Sequence, residues 1–227
     1  MEINLSSISY FIIFLLIILL LLILAVKFHY IAISDIYNMC ENLYVKNKNK
    51  KYVVIKNLVT PKFCKRLINS GELYANKHMW QTDRHDSYPT TDNEVTDEWR
   101  EYKHLKKLVQ TKISSAIHKM YKINKKHLKI IELFLVKYDM SGQKQLRYHR
   151  DGSEFSFVIG LNDGFEGGGT TFKCNGDTIV LGVGDCLIFS GQNKHKGNKI
   201  TSGQRYILAG FLEYGGAHCE SYRLLYN

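Results

Sequence analysis

Two histidines and an aspartate in this chain have the types and spacing of a metal site. His149 and Asp151 are separated by one residue, and His195 follows from a distant segment. On an extended strand, residues two apart project to the same side, so His149 and Asp151 can reach one ion together. Two imidazoles and one carboxylate can occupy one face of an octahedral iron and leave the opposite face open, the arrangement of non-haem Fe(II) oxygenases. Arg205, ten residues after His195, supplies a planar fork suited to the far carboxylate of a 2-oxoacid. In a chain with nine histidines an H-x-D triplet alone carries little weight. Three further features add specificity. Short strands fill the interval between the two halves, the His195-to-Arg205 interval suits a strand, a turn and a return, and Gly167-Gly168-Gly169 stands at a strand start.

The elements that must position these residues are legible from periodicity. Lys51 to Val59 has β-branched strand character. Thr60-Pro61 predicts a helix N-cap with proline at the first helical position, and Phe63, Leu67 and Ile68 give that helix an apolar face up to about Asn76. Gln81 to Val95 lacks periodicity and reads as a loop; its Trp80 flank, Arg84, Tyr88 and Asp92 are placed to fold over a site. A second helix is predicted from Thr96, with Trp99, Leu105, Leu108, Ile113, Ile117 and Met120 on its buried face. Strands then dominate: Lys129 to Tyr138, Phe155 to Leu161, Thr170 to Cys174, Thr178 to Leu181, Asp185 to Ser190 and Arg205 to Glu213. Turn signals at Asn162-Asp163-Gly164, Asn175-Gly176 and Gly184-Asp185 separate several of them. Two leading helices on a run of short strands predict an α+β, mainly β fold: a distorted jelly-roll barrel open at one end.

The first residues have a different character. Ile8 to Val26 is apolar apart from Ser9 and the phenol of Tyr10, and at about 1.5 Å per residue it matches the ~30 Å hydrocarbon core. The run is longer than a signal-peptide core and no Lys or Arg precedes it, so an uncleaved N-terminal transmembrane helix is expected rather than a cleaved leader. This divides the chain into an anchor over 1–28, a juxtamembrane stretch over 29–51 and a globular domain over 52–227 with its core at 128–214. Glu2 before the anchor and Lys27 after it favour a cytosolic C-terminal domain by charge, against the alternative of a lumenal domain in the endoplasmic reticulum. The net charge of +10 is spread over scattered lysines without an RNA- or DNA-binding fingerprint, so nucleic acid is not an expected partner. Five cysteines without a C-x-x-C pair exclude a zinc-ribbon reading; Cys174 and Cys186 flank a hairpin and could pair under oxidising conditions, with buried free thiols the expected state.

From roughly Tyr138 to Tyr214 the chain resembles the catalytic double-stranded β-helix of Fe(II)/2-oxoglutarate dioxygenases, in particular procollagen lysyl hydroxylases, with prolyl 4-hydroxylases next. The matching segments are Leu133 to Tyr138, His149-Arg150-Asp151, Phe157 to Asn162, Glu166 to Phe172, and His195-Lys196-Gly197 through Gly203-Gln204-Arg205-Tyr206-Ile207. A looser likeness covers Tyr88 to Asp92. The resemblance implies that His149, Asp151 and His195 bind Fe(II), that Arg205 pairs with the distal carboxylate of 2-oxoglutarate, and that Tyr138 hydrogen-bonds this co-substrate. Thr170 stands where the lysyl branch has cysteine and the prolyl branch threonine. Asn162 is placed either to line the pocket or simply to turn the chain. The implied reaction is hydroxylation of a peptidyl residue, lysine before proline, in a protein substrate of collagen-like type. It consumes O2 and 2-oxoglutarate and releases succinate and CO2, with L-ascorbate as reductant. The alternatives are an oxygenase of a small molecule, lipid or nucleobase, and a barrel that binds without catalysis.

Overall fold

The structure, a computed structural model, describes residues 18–27, 52–84 and 89–215. The chain divides into two units, one comprising 1–46 and 217–227 and the other 47–216. In the first unit residues 18–27 form a helix with every residue exposed. Among the described residues no helix is long and apolar enough to cross a membrane. Most of the expected span Ile8–Val26, the whole of 29–51, Cys40, Tyr88 and Cys219 lie outside the described residues.

The second unit opens with a strand, β1 (Tyr52–Ile55), and a helix, α1 (Pro61–His78). Its start is the predicted one: the Thr60 hydroxyl accepts the Phe63 N–H at 3.2 Å, and Pro61 occupies the first turn. Thr60→Ala removes one satisfied helix-end donor and is expected to cost about 1 kcal/mol. A calorimetric melt should fall by about 2–4 °C for a domain of this size. Phe63, Cys64, Leu67 and Ala75 are the buried stripe of α1.

Strand β2 (Asp92–Glu94) corrects the loop expected over Gln81–Val95. Its Asp, Asn and Glu are poor strand formers, but backbone pairing with a core strand and a Gln81–Asp92 bridge override their propensity. The next helix starts later than predicted, at Tyr102, because Thr96–Glu101 is occupied by turns. It runs as α2 (Tyr102–Leu108), a π-helical segment (Val109–Ile113) and α3 (Ser114–Tyr121). Leu105, Val109, Ile113, Ile117 and Tyr121 are buried four residues apart. At 3.6 residues per turn, a four-residue repeat drifts by roughly 40° per step. The wider π turn counters that drift and keeps the stripe on the sheet.

Ten strands follow: β3 (Leu128–Tyr138), β4 (Leu146–His149), β5 (Phe155–Gly160), β6 (Glu166–Gly167), β7 (Thr170–Phe172), β8 (Thr178–Ile179), β9 (Cys186–Ser190), β10 (His195–Gly197), β11 (Ile200–Ser202) and β12 (Arg205–Tyr214). With β1 and β2 they form a six-stranded sheet ordered β1-β9-β5-β12-β3-β2, a four-stranded sheet ordered β4-β10-β7-β8 and the pair β11-β6. Every strand pairing is antiparallel. This is the jelly-roll arrangement that the strand pattern predicts.

Period-two alternation in the large sheet separates two cores. Leu133, Leu135, Phe157, Ile159, Ile188 and Leu208 point to the helices. Phe134, Val136, Val158, Leu187, Ile207 and Ala209 point the other way and meet Phe172 and Ile200 of the smaller sheets. The second core is the barrel interior, and the candidate site opens from it. Among the described residues Cys64 and Cys186 are buried free thiols, as expected, whereas Cys174 is a free thiol exposed at the surface.

Candidate metal centre

His149 is the last residue of β4, and its cross-strand partner in β10 is His195. The register between these strands slips, with His195 opposite His149 but Gly197 opposite Leu146. Between these pairs one residue of β10, Lys196, faces two of β4, Arg147 and Tyr148, a bulge. The bulge lets Leu146 and His149 both face the interior although they lie three positions apart, an odd offset that regular alternation would place on opposite faces. The two imidazoles lie with ring centroids 4.3 Å apart, and the Phe189 ring stands edge-on to His195 at 4.6 Å.

Asp151 lies beyond the end of β4, which corrects the picture of two ligands alternating on one strand. Its backbone N–H donates to the Gly191 carbonyl at 2.9 Å, so the turn after β9 holds it instead. Asp151 Oδ1 is 3.2 Å from His149 Nε2 and 3.7 Å from His195 Nε2. The ligand atoms of the three residues all lie within 4.8 Å of one another. Each imidazole has Nδ1 at 2.8 Å from a carbonyl two residues back, Arg147 O for His149 and Asn193 O for His195. Nδ1–H is then the donor in both rings, which leaves both Nε2 atoms, the ones nearest the carboxylate, available to a metal ion.

The electrostatics agree with a cation site. Burial opposes ionisation of Asp151, but the His149 hydrogen bond, the nearby His195 and the Ser156 hydroxyl outweigh it and hold the acid below its ordinary range. Burial also opposes the charged form of His149, yet the Asp151 hydrogen bond and charge raise its pKa. For His195 burial prevails, and its pKa is lowered. The donor set, two imidazole nitrogens and one carboxylate oxygen converging from one side, fits an octahedral ion with open positions better than a closed tetrahedral site.

His149, Asp151 and His195 share a cavity of about 140 Å³ with Tyr138, Thr170, Arg205, Ile207 and the apolar Phe134 and Val136, among others. Arg205 is the first residue of β12 and pairs directly across the ladder with Tyr138, the last residue of β3. The chain reaches it from His195 through β10 and β11, which belong to two different sheets, and not through the simple strand, turn and return that the spacing suggested. Arg205 is only 4% exposed. Its guanidinium carbon lies 5.2 Å from the Tyr138 ring centre and 5.9 Å from that of Phe165. No carboxylate among the described residues pairs with it, and burial lowers its pKa. A buried guanidinium without an internal acid is a receptor for an anion entering the cavity.

The glycine run meets a backbone requirement. Gly167, Gly168 and Gly169 have φ of 76°, 72° and 93°, and a Cβ on Gly168 would approach Arg205 Cδ to 3.1 Å. Asn162 does not line the cavity: its amide donates to the carbonyls of Asp163 and Gln204 and its oxygen accepts the Tyr206 N–H. Trp80 packs near Tyr206 and Lys137 on the helix-covered side of the sheet. Arg84 pairs with buried Asp92 and with Glu132, and the Thr90 hydroxyl donates to Asp92. Of that segment, Thr90 reaches the cavity wall. Sequence reasoning also missed Ser156, whose hydroxyl donates to Asp151 Oδ2; its signal was a lone hydroxyl in an otherwise apolar strand.

No protein-family model matches the chain. It is 31% identical over 172 residues to a protein of Acanthamoeba polyphaga mimivirus named procollagen lysyl hydroxylase and glycosyltransferase, covering 68% of this chain and 18% of that protein. The chain thus spans less than a fifth of this relative's length. Among solved structures, the viral collagen prolyl hydroxylase of Paramecium bursaria Chlorella virus-1, in its 2-oxoglutarate complex, aligns with a TM-score of 0.55 at 16% identity, over 71% of this chain and 95% of that one. The non-haem α-ketoglutarate-dependent epimerase SnoN of nogalamycin biosynthesis aligns with the same TM-score of 0.55 at 14% identity, over 76% of this chain and 79% of its own.

Proposed function

We propose that this chain, a homologue of procollagen lysyl hydroxylases with the fold of the Fe(II)/2-oxoglutarate oxygenases, is an Fe(II)- and 2-oxoglutarate-dependent dioxygenase that hydroxylates a peptidyl residue, lysine in preference to proline. The observation that carries the reading is the convergence of His149, Asp151 and His195 opposite a buried Arg205 that has no acidic partner among the described residues. Bound iron would supply oxygen activation coupled to decarboxylation of 2-oxoglutarate to succinate and CO2, ending in a hydroxylated C–H position.

The chain's own residues bind and orient. His149 and His195 present Nε2 because their Nδ1 protons are committed to backbone carbonyls. Arg205 holds the distal carboxylate of 2-oxoglutarate, with Tyr138 and Thr170 bordering the same cavity. Phe134, Val136, Ile207 and Ala209 exclude water from that carboxylate and strengthen its pairing with the guanidinium. Lysine rests on the mimivirus relative, whereas Thr170 leans towards the prolyl branch. The same reading places the enzyme on a membrane through Ile8–Val26 and assigns ascorbate as the reductant.

The fold similarity to SnoN supports a second reading, oxygenation of a small molecule, because an equal TM-score there accompanies different chemistry. The full chain in detergent, supplied with Fe(II), 2-oxoglutarate, ascorbate and lysine- or proline-bearing collagen-like peptides, separates the two. The expected result is one added oxygen on lysine with matching succinate. The same gain on proline reassigns the residue, and succinate formation with unmodified peptides supports the small-molecule reading. Folded, iron-loaded protein that makes no succinate refutes both.

A further inference from the structure

We propose that Ser156, backed by Ser153, is a positioning residue that restricts Asp151 to one-oxygen coordination of the metal; this rests on the reading of His149, Asp151 and His195 as ligands. The two oxygens of Asp151 are differently engaged. Oδ1 is the one near both imidazole Nε2 atoms. Oδ2 instead accepts the Ser156 hydroxyl. Ser153 Oγ is 2.9 Å from Ser156 Oγ. A serine has one hydroxyl proton, and Ser156 gives its own to Asp151, so Ser153 must be the donor to Ser156. The result is a directional chain, Ser153 to Ser156 to Asp151, ending on the oxygen turned away from the histidines.

The chain is built into the fold. Ser156 and Ser153 are 1% and 2% exposed, and Ser156 sits between Phe155 and Phe157 on β5 of the large sheet. A buried hydroxyl there is tolerated only when hydrogen-bonded. Ser153 is in turn held against Gly191: a Cβ at that position would come within 2.2 Å of Ser153 O and 2.7 Å of its Oγ. Gly191 accepts the Asp151 N–H at 2.9 Å and donates to Glu154 O at 3.0 Å. The same turn carries Asn193, whose carbonyl orients His195. One clasp therefore fixes two of the three ligands, and Ser156 ties the segment that follows β4 to the large sheet.

The chemical consequence follows from the softness of a carboxylate's terminal torsion, which is broad and two-fold. Without a donor on Oδ2, Asp151 can rotate or present both oxygens, and a second bound oxygen would take one of the positions needed by 2-oxoglutarate and O2. Partners of this kind are typically worth about 10–100-fold in metal affinity or activity.

Mn(II) titrated into the metal-free full chain, followed by the paramagnetic resonance of free Mn(II), tests this without turnover. Ser156→Ala is expected to weaken Mn(II) binding roughly 10–100-fold, and Ser156→Thr, which keeps the hydroxyl, to recover most of the loss. Counting Mn(II)-bound waters by pulsed resonance in D2O should show fewer in Ser156→Ala, as the freed oxygen displaces one. Should Ser156→Ala not fold, Ser153→Ala removes only the backing donor and is expected to give a smaller loss of the same sign. Wild-type affinity and water count in Ser156→Ala, or in Ser153→Ala where that variant stands in, overturn the positioning role while leaving the metal site intact. Wild-type protein that binds no Mn(II) overturns the metal reading, and the positioning role with it.

Discussion

Asp151→Ala is expected to abolish stoichiometric binding of Fe(II), or of Mn(II) as its redox-inert stand-in, and all 2-oxoglutarate turnover with it. The loss should exceed the roughly 10–100-fold typical of outer hydrogen-bond partners, because a direct ligand and the site's one negative charge disappear together. Two neutral imidazoles offer no charge to offset a dication. The fold should survive. Asp151 is what raises His149 against the cost of burial, so in its absence both buried imidazoles stay neutral and the substitution adds no unpaired charge to the interior. The structural cost is the stranded Ser156 hydroxyl, about 1–3 kcal/mol for a buried group without its partner. Isothermal titration with Mn(II) and a thermal melt separate the two effects. Near-wild-type affinity in a folded variant would remove Asp151 from the metal site.

How far the sequence discloses this site depends on the residue. His149, Asp151, His195 and Arg205 could be singled out because their types are uncommon in that combination and their chemistry needs few assumptions about geometry. The four-residue β4 and three-residue β10 that carry His149 and His195 were not predicted; the longer strands around them were legible, since Leu133 to Val136 and Tyr206 to Leu212 are apolar runs. Their two-sided burial explains why alternation was faint: in Phe155–Gly160 every residue is buried, odd positions against the helices and even positions towards the barrel interior.

What stayed hidden is what one-dimensional spacing does not encode. The bulge in β4 reverses which side a residue faces, so alternation fails between Leu146 and His149. Asp151 owes its place to Gly191, forty residues away in sequence. Asp92-Asn93-Glu94 forms a strand against its propensity because β3 offers a ladder and Arg84 neutralises Asp92 within the protein. Ser156 looked like an ordinary strand residue until the segment just before it was seen to bring the Asp151 carboxylate onto its hydroxyl. In each case a tertiary contact overrides the local signal.

Arg205→Met is expected to separate co-substrate affinity from stability, moving them in opposite directions. The guanidinium is 4% exposed, lies over two aromatic rings and has no acidic partner among the described residues. In the ligand-free protein this charge is a burden, and burial correspondingly lowers its pKa. Replacing a buried, unpaired charge by an apolar side chain of similar reach is often neutral or stabilising. The melting temperature of the ligand-free variant should therefore hold or rise. With 2-oxoglutarate the sign reverses. Losing one partner of a buried, hydrogen-bonded charge pair costs about 2–5 kcal/mol, and at 1.4 kcal/mol per tenfold the lower bound corresponds to a roughly 30-fold rise in the 2-oxoglutarate KM. Arg205→Lys keeps the charge but loses the planar fork, so it should fall between the two. Mn(II) affinity measured without 2-oxoglutarate should be nearly unchanged in both variants, because Arg205 stands on the large sheet, whereas His149 and His195 stand on the small one. Melts with and without 2-oxoglutarate, in the presence of Mn(II), test the argument directly. The wild type should gain stability on adding the co-substrate and Arg205→Met should not, because a ligand stabilises only to the extent that it binds the folded state. Equal gains in the two proteins would mean that the distal carboxylate is held elsewhere in the cavity.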